Sequence, residues 1–183
     1  VVSSALDFIL PFEKYKITAG AKVSFTNTRN GINYDTSDPT LVQDDYFRYK
    51  EQIYALYADY SREYSERFSM QLGLRMEHTR TTGISEAKDT EDKHDYTRLF
   101  PTVYLLYSPT DGHALNFSFS NRISRPSQNM VNPFPFYQNK YTYACGREDL
   151  KPSYTYNAEL GYTLKNNFNV SAYYSYSDDV FFQ

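Results

Sequence analysis

Alternation of apolar and polar residues is the strongest pattern in this chain, and it is clearest between Tyr15 and Thr26. In this stretch the odd-numbered positions are apolar or aromatic, and the even-numbered positions are polar or glycine. Because side chains alternate between the two faces of a strand, the pattern predicts a strand with one apolar and one polar face. At roughly 3.3 Å per residue and a tilt near 45°, such a strand spans about 28 Å, close to the hydrocarbon thickness of a bilayer.

The same period recurs along the chain and predicts eight strands. They are Ser3–Leu10, Tyr15–Thr26, Tyr46–Tyr60, Arg67–Glu77, Tyr96–Tyr107, Leu115–Ser120, Tyr154–Leu164 and Phe168–Ser177. Short turns are predicted at Pro11–Lys14, Ser61–Glu66, Ser108–His113 and Lys165–Asn167, and long connections after Thr26, over Thr82–Asp95 and over Ser124–Lys151. Within the first long connection, Asn30-Gly31 is a two-residue hairpin signal, so we expect the strands to project past the apolar band before an irregular connection over Asp35–Asp45. Connections that alternate between short and long are typical of outer-membrane barrels and unusual for soluble sandwiches.

Composition narrows the class of protein. The 183 residues include 20 Tyr and 13 Phe but no Trp, and this aromatic content favours an all-β fold. The mean hydropathy of -0.67 argues against a membrane protein built from helices, but it is compatible with a barrel, whose strands are half polar. The net charge of -3 is too small to suggest nucleic acid or an anionic lipid surface as a partner, and the sequence shows no basic patch.

Catalytic and metal-binding chemistry is not indicated. The sequence contains no nucleophile triad, phosphate-binding loop or metal-ligand spacing, and His78, His94 and His113 lie far apart. We therefore expect no enzyme activity, cofactor or metal site. The acidic stretch Glu86–Asp95 is read as a solvated loop in preference to a calcium site. Cys145 is the single cysteine, so an internal disulfide is excluded and its role stays open.

Two groups of residues are candidates for binding. Charged residues on the predicted polar faces would line a barrel interior, where they either guide a substrate and contact a plug or simply form ion pairs in water. They are Lys16, Lys22, Arg75, Glu77, Arg98, Arg122 and Glu159. Aromatic and amide side chains in the long connection Arg125–Lys151 suit sugars or peptides, although they could equally serve to fold this connection. They are Phe134, Phe136, Tyr137, Asn139, Tyr141 and Tyr143.

Several short motifs resemble a known family. They are Tyr49-Lys50-Glu51, Gly73-Leu74-Arg75-Met76-Glu77, Leu99-Phe100-Pro101-Thr102, Asn121-Arg122-Ile123-Ser124-Arg125-Pro126-Ser127, Asn132-Pro133-Phe134 and Gly146 followed by Leu150-Lys151-Pro152. From about Tyr49 onwards the chain resembles the barrel region of TonB-dependent receptors, most closely the outer-membrane β-barrel family common in Bacteroidota-type bacteria. One departure is Gly146-Arg147-Glu148, which stands where the family usually has Gly-Asn-Pro.

The resemblance implies a fold and a function. The fold is an all-β, antiparallel, up-and-down transmembrane barrel, with residues 1–183 as a single segment of about eight strands within a barrel of about twenty-two. This segment is expected to lack a plug domain and a signal peptide. The implied function is import of an oligosaccharide, peptide or metal chelate across the Gram-negative outer membrane. The implied partners are outer-membrane lipid, the plug, the TonB system and a surface lipoprotein, with no nucleic acid. Two alternatives stay open: a small closed eight-stranded barrel acting as an adhesin or anchor, and a soluble carbohydrate-binding β-sandwich.

Overall fold

The chain forms one large antiparallel sheet and a small hairpin. The computed structural model describes residues 1–32, 45–85, 90–132, 135–139, 141–147, 149–165 and 167–181. Its elements are β1 (Val2–Pro11), β2 (Tyr15–Ile32), β3 (Asp45–Ser65), β4 (Phe68–Ser85), β5 (Thr90–Tyr107), β6 (His113–Ser124), α1 (Gln128–Val131), β7 (Phe136–Asn139), β8 (Thr142–Ala144), β9 (Ser153–Leu164) and β10 (Phe168–Asp178). The large sheet has the order β1-β2-β3-β4-β5-β6-β9-β10, and β7 pairs with β8. None of the helical residues described here forms a helix long and apolar enough to cross a membrane.

Strand register sorts the side chains onto two faces. β2 pairs with β3 from Tyr15–Arg62 to Ile32–Asp45, and the pairing continues without a break from β3 to β4 and from β4 to β5, apart from an irregularity near Ser65. Because a shift of one residue would exchange the faces, this register places the apolar sets of neighbouring strands side by side. We call the resulting surfaces the apolar face and the polar face. Leucines on the apolar face, such as Leu74 and Leu160, are half exposed in this chain.

Aromatic rings border the apolar face at both ends. At the end with the short turns, Tyr15 lies 4.4 Å from Phe12 and 5.9 Å from Tyr60 between ring centroids. At the other end, Phe25 lies 5.9 Å from Tyr54. We call these two groups of rings the aromatic belts. On β2 they are about ten residues apart, or about 23 Å along the membrane normal at a 45° tilt. This distance is close to the height of about 25 Å of the apolar band in outer-membrane barrels.

Two predicted turns belong to strands. The predicted hairpin turn at Asn30-Gly31 is wrong, since these residues pair with Phe47 and Tyr46 inside the β2–β3 ladder. The expected extension of the strands past the apolar band is confirmed, since β2 continues to Ile32 and β3 begins at Asp45. The predicted turn Ser61–Glu66 is also wrong, since β3 continues to Ser65 and turns through Glu66-Arg67. The physical reason is that ladder hydrogen bonds join main chains, so a strand can continue into water after its apolar alternation has ended.

The predicted long connection Thr82–Asp95 is largely strand as well. β4 continues to Ser85 and β5 begins at Thr90, and these two residues pair with each other. Residues 86–89, between these two strands, lie outside the described residues. Most of the predicted connection Asp35–Asp45 also lies outside them. The short turns at Pro11–Lys14, Ser108–His113 and Lys165–Asn167 separate strands at the predicted places.

The ladder between β5 and β6 is short. These strands pair only from Thr102–Ser120 to Tyr107–Leu115; beyond this point β5 continues with β4, and β6 continues with β9. Side chains bridge the gap: Asn121 donates a hydrogen bond to the carbonyl oxygen of Leu99 at 3.4 Å, and the Arg98 guanidinium lies 5.0 Å from the ring centroid of Tyr154. We call this gap the β5–β6 seam.

The connection after β6 folds back over the polar face. We call the segment Arg125–Pro152 the overlying loop; it contains α1, β7 and β8. Val131 at the end of α1 packs against Phe47 of β3, and both are buried, with Leu150 beside them. Gly146 donates a main-chain hydrogen bond to Asn132 at 2.8 Å, and a Cβ at this glycine would lie only 2.6 Å from the same carbonyl oxygen. The buried core of the described chain therefore lies between the polar face and the overlying loop.

Candidate functional site

A cleft of about 480 Å³ lies between the polar face and the overlying loop. β3, β4 and β5 form its floor, because their polar-face residues continue beyond the aromatic belt. The ends of the overlying loop and the start of β9 form its sides. The lining includes Phe47, Tyr49, Glu51, Tyr96, Arg98, Arg125, Val131, Leu150, Lys151, Tyr154 and Asp179. Its size is within the range of sites that bind small molecules.

Arg125 anchors the overlying loop to the polar face. Its Nη2 atom donates hydrogen bonds to a carboxylate oxygen of Glu77 at 2.6 Å and to Oγ1 of Thr79 at 3.1 Å. Arg75 donates to the other carboxylate oxygen of Glu77, from Nε at 2.6 Å. Glu77 is 5% exposed and Thr79 is fully buried. A buried carboxylate is thus held between two guanidinium groups, which provides the compensation that a buried charge requires.

A second carboxylate approaches the same arginine. Oε2 of Glu51 lies 3.9 Å from Nε of Arg125, too far for a hydrogen bond. Burial raises the pKa of the Glu51 carboxyl above its ordinary value, against the opposing effects of Arg125 and of a hydrogen bond from Tyr49, while Glu77 raises it further. The floor of the cleft therefore combines a carboxyl group of raised pKa with the phenol groups of Tyr49 and Tyr96.

The remaining lining suits a polar ligand with flat surfaces. Tyr49, Tyr96 and Tyr154 offer rings for stacking and hydroxyls for hydrogen bonding. Charges of both signs, including Lys151 and Asp179, border the cleft. Among the described residues, no three His, Cys, Asp or Glu side chains are grouped as a metal site would require. This arrangement can bind and orient a ligand.

The predicted charged residues share one face. The register places all seven on the polar face: Lys16, Lys22, Arg75, Glu77, Arg98, Arg122 and Glu159. The structure brings Arg75 and Glu77 into the network around Arg125, and it places Arg98 in the cleft. Lys16, Lys22 and Arg122 are exposed, and Glu159 is partly exposed. Their role in guiding a substrate stays a prediction.

The predicted aromatic residues belong to the tip of the overlying loop. Phe134 lies outside the described residues, and so do the side chains of the β7 residues Phe136, Tyr137 and Asn139. Tyr141 and Tyr143 are 95% and 58% exposed. The cleft is lined by the ends of the loop, as far as the described residues show, and the role of its tip in binding stays a prediction.

The anchoring network joins three motifs that are far apart in the sequence. Tyr49-Lys50-Glu51 contributes Glu51, Gly73–Glu77 contributes Arg75 and Glu77, and Asn121–Ser127 contributes Arg125. Arg125, Thr79 and Tyr96 were not predicted as site residues. The available signal was that these motifs place opposite charges on segments that a barrel would bring together.

Solved structures of transport proteins have the same fold. The copper transporter OprC matches with a TM-score of 0.66 and 12% identity, over 94% of this chain and 29% of that chain. The ferric yersiniabactin uptake receptor FyuA from Yersinia pestis matches with a TM-score of 0.59 and 16% identity, over 97% and 28%. The ferric citrate transporter FecA matches with a TM-score of 0.53 and 13% identity, over 90% of this chain and 24% of that chain. The chain thus spans less than a third of each of these proteins. No curated protein matches its sequence.

These likenesses confirm the predicted fold class, an antiparallel transmembrane sheet that forms part of a larger barrel. They also identify the surfaces: the apolar face is the side that meets lipid, and the polar face is the side toward the barrel interior. The resemblance to TonB-dependent receptor barrels is confirmed at the level of the fold, and the location is the Gram-negative outer membrane. Across its whole length, residues 1–183, the chain belongs to the outer membrane protein beta-barrel family.

Proposed function

We propose that this chain is a wall segment of a TonB-dependent transporter that imports a nutrient through the outer membrane. The observation that carries the proposal is the cleft on the interior face, closed by a loop that Arg125 anchors to Glu77. The solved structures with the same fold are named for copper transport, ferric citrate transport and ferric yersiniabactin uptake, which supports a transport role.

In this proposal the cleft holds the ligand before passage. The ligand enters from the end with the long connections, which is the external end in outer-membrane barrels. Tyr49, Tyr96 and Tyr154 stack against it and donate hydrogen bonds, while the charged border orients it. Release of the Arg125–Glu77 contact lifts the overlying loop and opens the path into the barrel. The plug, the TonB system and a surface lipoprotein act through parts of the machinery outside these residues.

The cleft fits oligosaccharides and peptides. Both present flat or ring-shaped faces for tyrosine and many hydrogen-bonding groups, and both fit a volume of about 480 Å³ in fragments of a few units. A metal chelate whose organic part has similar groups is a third candidate. Each of these nutrients is polar and therefore needs a lined path across the bilayer.

A deletion strain complemented with the full-length gene tests the proposal. Growth is measured with oligosaccharides as the only carbon source, peptides as the only nitrogen source, or ferric chelates as the only iron source. We expect wild type to restore growth on one class, and an uncoupler of the proton gradient to stop uptake of that labelled nutrient. Tyr154→Ala should lower uptake by at least about tenfold, the loss expected for a central aromatic contact. The matched control Tyr156→Ala, two residues further along β9, should stay near wild type at equal surface abundance.

Normal growth of the deletion strain on all three classes would contradict transport. Loss of surface adhesion in the same strain would then support the adhesin alternative. No observation favours that alternative here: a closed eight-stranded barrel would need β1 to pair with β10, and these strands do not pair in the described sheet.

A further inference from the structure

Three guanidinium groups surround one buried carboxylate at the inner end of the cleft. Arg75 and Arg125 each donate to a different oxygen of Glu77. β5 lines the cleft from Asp92 to Arg98, so Arg98 lies farthest from the external end. Arg98 is directly opposite Glu77 in the β4–β5 ladder, which places their Cα atoms about 5 Å apart. We call Arg75, Arg98 and Arg125 the arginine cluster.

Arg98 does not pair with the carboxylate that it faces. Both oxygens of Glu77 are occupied, and the Arg98 guanidinium lies instead over the ring of Tyr154, 5.0 Å from its centroid. In the part of the chain that the structure describes, no carboxylate lies within ion-pair distance of Arg98. Its side chain is exposed and lines the cleft, so its N–H groups are accessible to a ligand.

Arg125 has an unused donor in the same region. Its Nε atom is buried and has no hydrogen-bond acceptor among the described residues. Oε2 of Glu51 lies 3.9 Å away, beyond hydrogen-bond distance. Buried N–H groups in proteins are nearly always paired, so an oxygen atom supplied by a ligand would satisfy this one.

The inner end of the cleft has an excess of positive charge. The three arginines surround Glu77, and counting Glu51 as a second carboxylate still leaves one positive charge. Toward the external end Asp92 lies 2.9 Å from His94, and the border carries charges of both signs, so the excess belongs to the inner end. A carboxylate carries one negative charge, whereas a phosphate monoester carries about 1.5–2 at pH 7. A single carboxylate therefore matches the excess.

We propose that the arginine cluster binds a carboxylate of the imported nutrient. This inference rests on the proposed function, because it names the chemistry of the ligand that the cleft holds. Arg98 donates paired N–H groups to the carboxylate, a geometry that guanidinium groups favour, and Arg125 adds a further donor. The carboxylate is either the C-terminus of a short peptide or a uronic acid of an oligosaccharide. Arg98 is the residue that selects acidic over neutral ligands.

Probes that differ by a single charge test the proposal. One pair is N-acetyl-tetraalanine with a free or an amidated C-terminus, and the other is cellotriose with or without one terminal glucuronic acid. Their affinities for the full-length protein in neutral detergent are measured by isothermal titration calorimetry. We expect the acidic member of one pair to bind at least about tenfold more tightly than its neutral partner, because hydrogen bonds to charged groups contribute a factor of this order. The pair that shows this preference identifies the source of the carboxylate.

Substitutions assign the preference to Arg98. Arg98→Gln should abolish it, and Arg98→Lys should restore part of it, because the lysine keeps the charge without the paired donors. The control Arg147→Gln also removes an arginine, but one that is exposed in the overlying loop and outside the cleft lining, and it should keep the preference. Resistance to SDS before heating and the circular dichroism spectrum establish that each variant is folded.

Three results would overturn the proposal: equal affinity for the acidic and neutral members of both pairs, no binding of any probe, or a preference that persists in folded Arg98→Gln protein. Failure of this inference is distinguishable from failure of the proposed function. Nutrient uptake in the growth assay without a preference for acidic probes would remove only the carboxylate assignment. A preference without uptake of any nutrient class would remove the transport role and leave the binding site.

Discussion

Replacing Arg125 by glutamine should release the overlying loop from the interior face of the wall. Arg125 donates to Glu77 and Thr79, which are 5% and 0% exposed. Removing one partner of a buried ion pair destabilises a structure by about 3–5 kcal/mol, because the other charge stays buried without compensation. In the variant Arg75 still pairs with Glu77, and the Arg125 side chain is 22% exposed in the wild type. We therefore expect the free energy that favours closure of the loop to fall by about 2–3 kcal/mol.

A cysteine beneath the loop measures this change. Val131 is 7% exposed and packs against Phe47, so a thiol at position 131 can react only when the loop lifts. In a Cys145→Ser background of the full-length protein, maleimide should label Val131→Cys at a rate proportional to the open fraction. Adding Arg125→Gln should raise this rate by about 30- to 150-fold, the equivalent of 2–3 kcal/mol.

Arg147→Gln is the matched control. Arg147 lies in the same loop and pairs with Asp149, but both side chains are about 70% exposed. Exposed ion pairs contribute little to stability, so the labelling rate should change by less than about fivefold. A similar rate in the wild-type and Arg125→Gln backgrounds, or equal increases in both variants, would refute the anchoring role of Arg125.

Three further predictions concern the wall and the cleft. Leu74→Arg, on the lipid side about midway between the belts, should cost about 2–4 kcal/mol in unfolding from lipid vesicles, against far less for Gln71→Arg on the interior side; equal costs would contradict the assigned faces. Gly20→Ala should cost about 1–3 kcal/mol in the same assay, because its Cβ would overlap the Tyr57 ring and a main-chain oxygen; an unchanged stability would show that the ring moves freely. Because burial raises the pKa of Glu51 in the closed state, that state binds more protons than the open state, and closure strengthens as the pH falls from neutrality toward 4.5. The labelling rate at position 131, normalised to an exposed thiol, should fall more on acidification in wild type than in Glu51→Gln, in which the Arg125–Glu77 pair remains; an equal response in the two proteins would contradict the role of Glu51.

The fold could be predicted from the sequence because a barrel wall repeats one simple rule. The period of two in Tyr15–Thr26 defines both faces, and the same period in the other strands fixes which side meets lipid. The exact strand ends could not be predicted in this way, although the strands were expected to extend past the apolar band. Beyond Thr26 the alternation of apolarity ends, but the main-chain ladder continues to Ile32, since water on both faces imposes no pattern on the side chains.

The candidate site was harder to predict because its members come from distant segments. Arg75 and Glu77 were predicted from their shared face, but their partner Arg125 lies 48 residues from Glu77 and in a connection with no periodic pattern.

The β5–β6 seam has a mechanical consequence. Neighbouring strands of the wall are joined by main-chain hydrogen bonds along most of their length. Between β5 and β6 this ladder ends at Thr102 and Ser120, and from there toward the external end only side chains join the two strands. The wall therefore consists of two plates, β1–β5 on one side and β6, β9 and β10 on the other, which share only a short ladder. The overlying loop continues from the second plate, while its anchor Glu77 belongs to the first. A force that spreads the plates is thus transmitted directly to the Arg125–Glu77 contact, so that widening of the wall and lifting of the loop are one motion.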